Sequence, residues 1–522
     1  MISGPRAGRP SGVRRWLAGI LAGDLDAFVV PGAEMLDALG LDLEAAGLRV
    51  AATPRHASVL VVVGDIPPGL ARSAAIAYAQ QPRPRAILSV GGAPSPAPLP
   101  AADVSVAATQ PALTEGIAEL RRHVALGAWD PDPSAFVIDH AQAPEPADED
   151  EEQHSHHVMQ PGSDMAHAHE SEMDHMPMGS GGFMSMVMMT SRLPRSADGL
   201  PMEWLEVPFG PLFPGLPGGL NLVLTLDGDT VARAEVRSGT LRSDLRATWP
   251  GPVKTFADRL ARLDPQGSTA YRVLAWRALE QATGAEPDER ETHRRIAALE
   301  RERVASHLTW LARLGFLLGA AWLARRASSL ARAVCKAHTP HEIGQLHGPV
   351  TAFVRQVRRT PLLASRLDGV GRIQPESAHD LRGPLARACG RVDDARQDDP
   401  AYRALGFAPV VEDGCDARAC LAVRLAEIEQ SLELIRAAGI DASPATPESA
   451  LATGTGRASV ETPRGRASLV VTLADGRVLD LALEVPSAGH AHLVEDVVAG
   501  HELADALLGI TSLDLSPWEL DQ

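Results

Sequence analysis

The chain has 522 residues, more than one ordinary domain of about 100–200 residues accommodates, so two to four units are expected. A formal net charge of -17 argues against a nucleic-acid binder, which needs a basic face to track phosphates. The 45% of apolar residues suffices for sizeable cores, which Ala, Leu and Val must fill because aromatic residues make up only 4%. Four cysteines (Cys335, Cys389, Cys415 and Cys420), none in a CxxC pair, exclude a secreted disulfide scaffold and make a reducing cytoplasm the default, with Cys415 and Cys420 read as packing residues. The basic start runs into Asp24 and Asp26 too soon for a signal peptide, and Leu311–Ala324 is shorter than the ~20 residues that span a bilayer.

In chain order, Val59–Val63 before Gly64 reads as a buried parallel strand, Pro67–Gln81 as the helix after it, Ala86–Val90 as a second strand ending at Gly91-Gly92, and Leu113–Val124 as an amphipathic helix. That alternation predicts a small doubly wound α/β unit. From residue 141 an acidic run (Asp148–Glu152) leads into a stretch rich in histidine and methionine, a composition that cannot build a core and reads as a disordered linker over 141–191. After it, Leu220–Leu226 and Thr230–Val236 form a hairpin about Asp227-Gly228-Asp229. Helical periodicity follows over 268–283, over 288–338 with breaks, over 340–358 and over 417–438, then a second hairpin over 467–485 and a last helix over 493–508. The second half is thus an α+β, mostly helical unit.

Two stretches resemble known families. Pro54-Arg55-His56-Ala57-Ser58-Val59-Leu60-Val61-Val62-Val63-Gly64, followed by Tyr78-Ala79-Gln80-Gln81-Pro82-Arg83-Pro84-Arg85-Ala86-Ile87-Leu88, resembles the strand and helix–strand unit of the twenty-kilodalton subunit of respiratory complex I and of the small subunit of nickel–iron hydrogenases. The second half is similar to the forty-nine-kilodalton complex I subunit and the hydrogenase large subunit: Gly383-Pro384-Leu385-Ala386-Arg387-Ala388-Cys389-Gly390 with Asp394 and Arg396, Asp413–Arg418 with Arg424, Glu427 and Ser431, Glu461-Thr462-Pro463-Arg464-Gly465, Asp505 with Ser512 and Asp514, and Arg303, Ser306 and His307. The resemblance implies a flavodoxin-like domain over 1–140, the linker, and a hydrogenase-large-subunit-like domain over 192–522. It further implies a peripheral-arm subunit of a complex I-like or membrane-hydrogenase-like assembly, held on the inner face of the cell membrane by ion-translocating membrane subunits.

The departures from the family are chemical. No cysteine precedes Cys335, so the loops Gly23–Asp26, Gly91–Ser95 and Thr109–Pro111, where the twenty-kilodalton family holds a four-iron cluster, carry no thiolate. The C-terminus reads Asp514-Leu515-Ser516-Pro517, without the hydrogenase cysteines, and Val236-Arg237-Ser238-Gly239-Thr240 lacks the histidine of the quinone loop. Neither an iron–sulfur cluster nor a nickel–iron centre is expected, and the leading expectation is a cofactor-free scaffold. Arg387, Asp394, Arg396, Asp416, Arg418 and Arg464 are the candidates for a retained cleft that takes quinone or NADH, with ion pairs pinning a loop to the bundle as the structural alternative. His307 reads as a satisfied core histidine. His154, His156, His157, His167, His169, His175, Met173, Met176 and Met178 offer imidazole and thioether donors for Cu, Ni or Zn, against the alternative of a plain tether. Cys335, His338, His341 and His347 form a run with zinc-ligand residue types, which Pro340 interrupts.

Overall fold

The computed structural model describes residues 16, 19–20, 22–126, 204–237, 241, 250–374, 377, 381–446 and 453–520. The 141–191 stretch with its histidines and methionines lies outside them, as do residues 238–240 of the loop after the first hairpin.

Five parallel strands, β1 (Asp26–Val30), β2 (Arg49–Val50), β3 (Val59–Val63), β4 (Ala86–Val90) and β5 (Val104–Val106), stand in the order β2-β1-β3-β4-β5. Helices α1 (Glu34–Ala38), α2 (Pro68–Gln80) and α3 (Gln110–Ala125) connect and cover them. The run Val-Leu-Val-Val-Val of β3 is buried at every position because the sheet is covered on both faces, which is why it reads as continuous rather than alternating. β1 overturns one expectation: Gly23–Asp26 is not the first loop at the strands' carboxyl edge, since Asp26 opens the strand and that loop is 31–33. The order reverses between β1 and β3, the place where open α/β sheets form a crevice.

After residue 204, β6 (Leu205–Phe209), β7 (Asn221–Asp227) and β8 (Thr230–Arg237) form an antiparallel sheet whose tight turn uses Gly228. The helical body comprises α4 (Ser268–Thr283), α5 (Glu289–Leu317), α6 (Ala321–Lys336), α7 (Pro340–Arg359), α8 (Gly383–Ala388) and α9 (Ala417–Ala438). Its ends carry the expected stop and start signals. Asp288 and Asp416 accept backbone N–H bonds as N-caps, Thr339 and Glu342 form a capping box, and Gly284 and Gly439 adopt left-handed C-caps. Pro340 therefore begins a helix rather than breaking one. α5 is buried over nearly its whole circumference and is the axis on which α6 and α9 pack.

Strands β9 (Gly251–Pro252), β10 (Gly454–Thr462), β11 (Gly465–Ala474) and β12 (Arg477–Glu484) make a sheet in the order β10-β11-β12-β9. β11 alternates buried and half-buried residues, so one face lies on α4. The single terminal helix expected over 493–508 is two, α10 (Leu493–Val498) and α11 (Leu503–Leu513), parted at Gly500, where the chain pairs back with Val231.

The seating of β10 on α4 depends on one missing side chain: a Cβ at Gly456 would lie 1.9 Å from the Ala278 carbonyl oxygen. Gly456→Ala is expected to cost about 1–3 kcal/mol by overpacking, read as a lower urea midpoint. Gly489→Ala, whose added Cβ meets nothing within 4 Å, is the control and should leave the midpoint unchanged or slightly raised.

Candidate functional site

The conspicuous chemistry of the chain lies in its core. Glu300, Arg303 and His307 project from one face of α5 at spacings of three and four, as residues one helical turn apart must. α9 supplies Glu427 and Ser431 by the same rule, α8 supplies Arg387, β10 supplies Glu461, its penultimate residue, and the turn after α8 supplies Asp394 and Arg396. α8 approaches closely because Gly383, with φ +62°, lies against Gly465, where a Cβ would sit 2.3 Å from the Gly465 Cα.

The assembled side chains form a closed lattice. Arg387 reaches Glu427 at 2.6 Å, Glu461 at 2.9 Å and Asp394 at 3.0 Å. Arg396 grips Asp394 with two donors at 2.9 and 2.7 Å, donates to Glu300 at 3.0 Å, and lies over the Phe407 ring. Arg303 is 3.3 Å from Glu300 and donates to the backbone oxygens of Glu461 and Thr462. The Tyr402 and Ser431 hydroxyls donate to Glu300 at 2.7 and 2.6 Å.

Burial raises every carboxylate here and the arginines oppose it. Arg387 holds Glu427 well below the ordinary range against its desolvation, and Arg396 and Arg303 do the same for Glu300. Glu461 goes the other way, pushed up by burial and by the neighbouring Asp394. Three guanidiniums (Arg303, Arg387, Arg396) thus face four carboxylates, and a proton on Glu461 brings the cluster to neutrality. Desolvation lowers His307 to about 4, so it is neutral, and its contact with Glu427 at 2.8 Å assigns the proton to Nε2.

A second cluster centres on Asp514, held below its usual range because Arg424, Arg464 and Arg313 outweigh its burial. Arg313 donates to it at 2.6 Å from Nη2, and Arg464 also binds Asp264 at 2.6 Å. Nε and Nη1 of Arg313 have no partner among the described residues, and Arg313 lines a cleft of about 600 Å³ between the parallel sheet and the helices. The loop after β1 forms one wall of that cleft. Glu34 accepts from the Gly218 amide at 2.5 Å, while Asp37 accepts from Ser328 at 2.7 Å and Arg332 at 2.8 Å; burial lifts Asp37 to about 6 despite Arg332.

The six cleft candidates part company. Arg387, Asp394 and Arg396 come together, but in the solvent-free lattice rather than on a cleft wall. Asp416 caps α9, taking the Ala419 and Gly369 amides. Arg418 is exposed and pairs with Asp368, and Arg464 belongs to the Asp514 cluster. Cys420 is free and buried in the apolar core, and Cys415 packs against that core as well, but it is also disulfide-bonded to Cys389, which the packing reading did not include. The zinc run does not converge: His338 contacts Arg301, His341 contacts Gln345 and His347 contacts Glu433. Among the described residues no group of three or more potential ligands gathers. The cleft residues Glu34, Asp37, Arg313 and Arg332 carried no signal in the sequence. Glu300 carried a weak one, three residues before the matched Arg303.

Two tests separate lattice from surface. Arg387→Met, which leaves Glu461 buried without its cation and Glu427 with Arg396 at 3.3 Å alone, is expected to cost about 3–5 kcal/mol in denaturant unfolding. Arg418→Ala should stay within about 0.5 kcal/mol of the parent. A second buried acid sets a pH dependence: Glu302 takes the amides of Thr269 and Ala270 at the start of α4, yet burial pushes it up to about 7 from 4.5. An acid whose folded pKa is raised binds more protons when folded, so its contribution to stability falls as pH rises from about 4.5 through about 7. Between pH 5.5 and 8 that loss is about 2 kcal/mol, and it should vanish in Glu302→Gln. Taking the difference between the two proteins cancels His307 and His490, both lowered to about 4 by burial, which lose stability in the opposite direction, as pH falls below about 6.5.

Comparison with known proteins bears on the whole assembly. Residues 336–450 match the family described as respiratory-chain NADH dehydrogenase, 49 Kd subunit. The D subunit of the NADH-quinone oxidoreductase of Desulfotalea psychrophila is 28% identical over 365 residues, covering 62% of this chain and 98% of that protein. The alpha subunit of the membrane-bound hydrogenase of Pyrococcus furiosus is 25% identical over 370 residues, covering 60% and 86%. A chain of the membrane-bound sulfane sulfur reductase, an archaeal respiratory membrane complex, shares the fold with a TM-score of 0.56 at 22% identity, over 61% of this chain and 99% of that one. Carrying the signature of the forty-nine-kilodalton family through α7 to α9, the chain is a homologue of the D subunits of NADH-quinone oxidoreductases and of the membrane-bound hydrogenase alpha subunit.

Proposed function

We propose that this chain is a peripheral-arm subunit of a complex I-like, membrane-associated assembly, a fusion of a flavodoxin-like part related to the twenty-kilodalton subunit and a hydrogenase-large-subunit-like part related to the forty-nine-kilodalton one. It docks on ion-translocating membrane subunits from the inner face and works as a scaffold without an iron–sulfur or nickel–iron group of its own. No helix among the described residues is long and apolar enough to cross a membrane, and on this proposal attachment falls to the membrane subunits.

The observation that carries the scaffold reading is the chemistry at the carboxyl edge of the parallel sheet. A four-iron cluster needs thiolates. The loops there offer Pro31, Gly32, Gly64, Asp65, Gly91 and Gly92, and those after β3 and β4 are in contact: a Cβ at Gly92 would lie 2.1 Å from the Gly64 oxygen. These residues do not fit such a cluster. The carboxylates of the lattice are paired with its guanidiniums, and neither group carries electrons.

The cleft beside Arg313 favours a second reading, a redox subunit that takes quinone, because unpaired buried donors in a largely apolar cleft suit a carbonyl oxygen. A third rests on composition: metal handling by the histidines and methionines of 141–191.

Native purification with mild detergent tests the first reading. The full chain is expected to migrate with hydrophobic multi-span subunits and to contain less than stoichiometric iron and sulfide; migration alone, or one cluster per chain, would sink it. Quinone recovered with the complex, and lost in Arg313→Leu, would establish the second. Stoichiometric copper, nickel or zinc that disappears when residues 153–189 are deleted would establish the third.

A further inference from the structure

The disulfide between Cys389 and Cys415 closes a loop whose interior, 390–414, contributes Asp394 and Arg396 to the lattice and Tyr402 and Phe407 to a small apolar cluster. Everything this loop gives the core is therefore held between two sulfurs. The ends are also joined by backbone bonds, Cys415 N–H to the Ala388 oxygen at 2.9 Å and Glu412 N–H to the Arg387 oxygen at 2.9 Å. Both cysteines are half-buried, Glu412 and Asp413 beside them are exposed, and Val392 and Val411 on the two joined segments are exposed apolar residues. Cys415 has φ +53°, a left-handed conformation that L-residues other than Asn and Asp rarely adopt. An accessible bridge with a strained residue at one end is the type that thiols reduce most readily.

We propose that Cys389–Cys415 is a thiol–disulfide exchange site for a dithiol reductant, and that its state sets whether loop 390–414 stays docked in the ion-pair lattice. A thiolate of the partner attacks one Sγ, the Sγ–Sγ bond breaks, and a mixed disulfide forms. The partner's second thiolate then displaces the cysteine. The partner leaves as its own disulfide, and two electrons and two protons end on Cys389 and Cys415. Exposed apolar Val392 and Val411 suit docking of a folded dithiol protein, whereas Glu412 and Asp413 disfavour a small anionic monothiol. In the oxidised protein the bridge fixes both ends of the loop; once it is reduced, the loop is held by its ion pairs to Glu300, Glu427 and Arg387, its apolar contacts and the backbone bonds at its ends, without the covalent closure. The inference is independent of the assembly reading, and failure of either leaves the other standing.

Iodoacetamide labelling of the full chain, mapped by mass spectrometry, should find Cys389 and Cys415 blocked before treatment with dithiothreitol and both labelled after it, without denaturant. Glutathione at equal thiol concentration should label them at least ten-fold more slowly, and equal rates would overturn the dithiol assignment. Limited trypsin digestion should cut after Arg391 and Arg403 at least ten-fold faster in the reduced protein, with cleavage after Arg326 unchanged. Equal cleavage rates with both thiols shown free would overturn the gating, and so would free thiols in a protein whose loop is protected. Cys415→Gly, which accepts the left-handed backbone but cannot form the bridge, should be cut at the fast rate without reductant; a slow rate there would also overturn the proposal.

Discussion

The contact between Arg387 and Glu427, 2.6 Å apart and sealed from water, is the constraint to which the helical body conforms. Neither charge is tolerable there alone, because an unpaired buried ion costs several kcal/mol. Each must therefore bring the elements that complete its shell. Arg387 requires Glu461 and so fixes β10 against α8; Glu427 requires His307 and Arg396 and so fixes α5 and the 3-10 turn at Ala395–Asp398 against α9. The arrangement confers little net stability and much specificity, since any slip of one helix by a turn strands a charge.

The same logic explains where the lattice ends. Arg424 bridges it to the Asp514 cluster, standing 3.4 Å from His307 Nδ1 and 3.4 Å from Asp514, with its guanidinium over Trp310. On the side of Asp514 toward the cleft, Arg313 gives Nη2 to Asp514 and keeps Nε and Nη1 without a partner among the described residues. The cleft edge is where a ligand or partner has something left to bind.

What was legible in the sequence follows from range. Strands β3 and β4, and helices α4 and α9, declare themselves by local apolar periodicity and by Asp and Gly caps, and the structure places them where that periodicity ends. β1 was not legible, because Asp26-Ala27-Phe28-Val29-Val30 starts on a charge and follows an apolar run that masks its edge. β2 has two residues, and its strand character comes only from pairing with β1. Asp394 and Arg396 could be picked out by motif, but that Arg396 faces Glu300, 96 residues away in the chain, is a property of helix packing that no local pattern encodes. The Cys389–Cys415 bridge was hidden for the same reason: a separation of 26 residues fits many conformations, and only the backbone pairing of 387–390 with 412–415 brings the two side chains together.

Ion pairs and close backbone contacts hold the parallel sheet to the helices. Where a metal site bridges two elements, the metal's binding energy is also folding energy. Here charge and covalent connection take that place. Arg332 on α6 reaches both Asp37 and Asp42 at 2.8 and 3.2 Å, Glu34 receives the Gly218 amide, and a Cβ at Gly218 would fall 2.3 Å from the Pro31 oxygen, so the two backbones touch. Asp37 is 6% exposed on its side chain, so removing Arg332 would leave a buried carboxylate unpaired, which costs more than breaking a surface ion pair. Joining the two parts in one chain raises their effective concentration to roughly the millimolar range, so these few contacts need only be weakly favourable to remain formed.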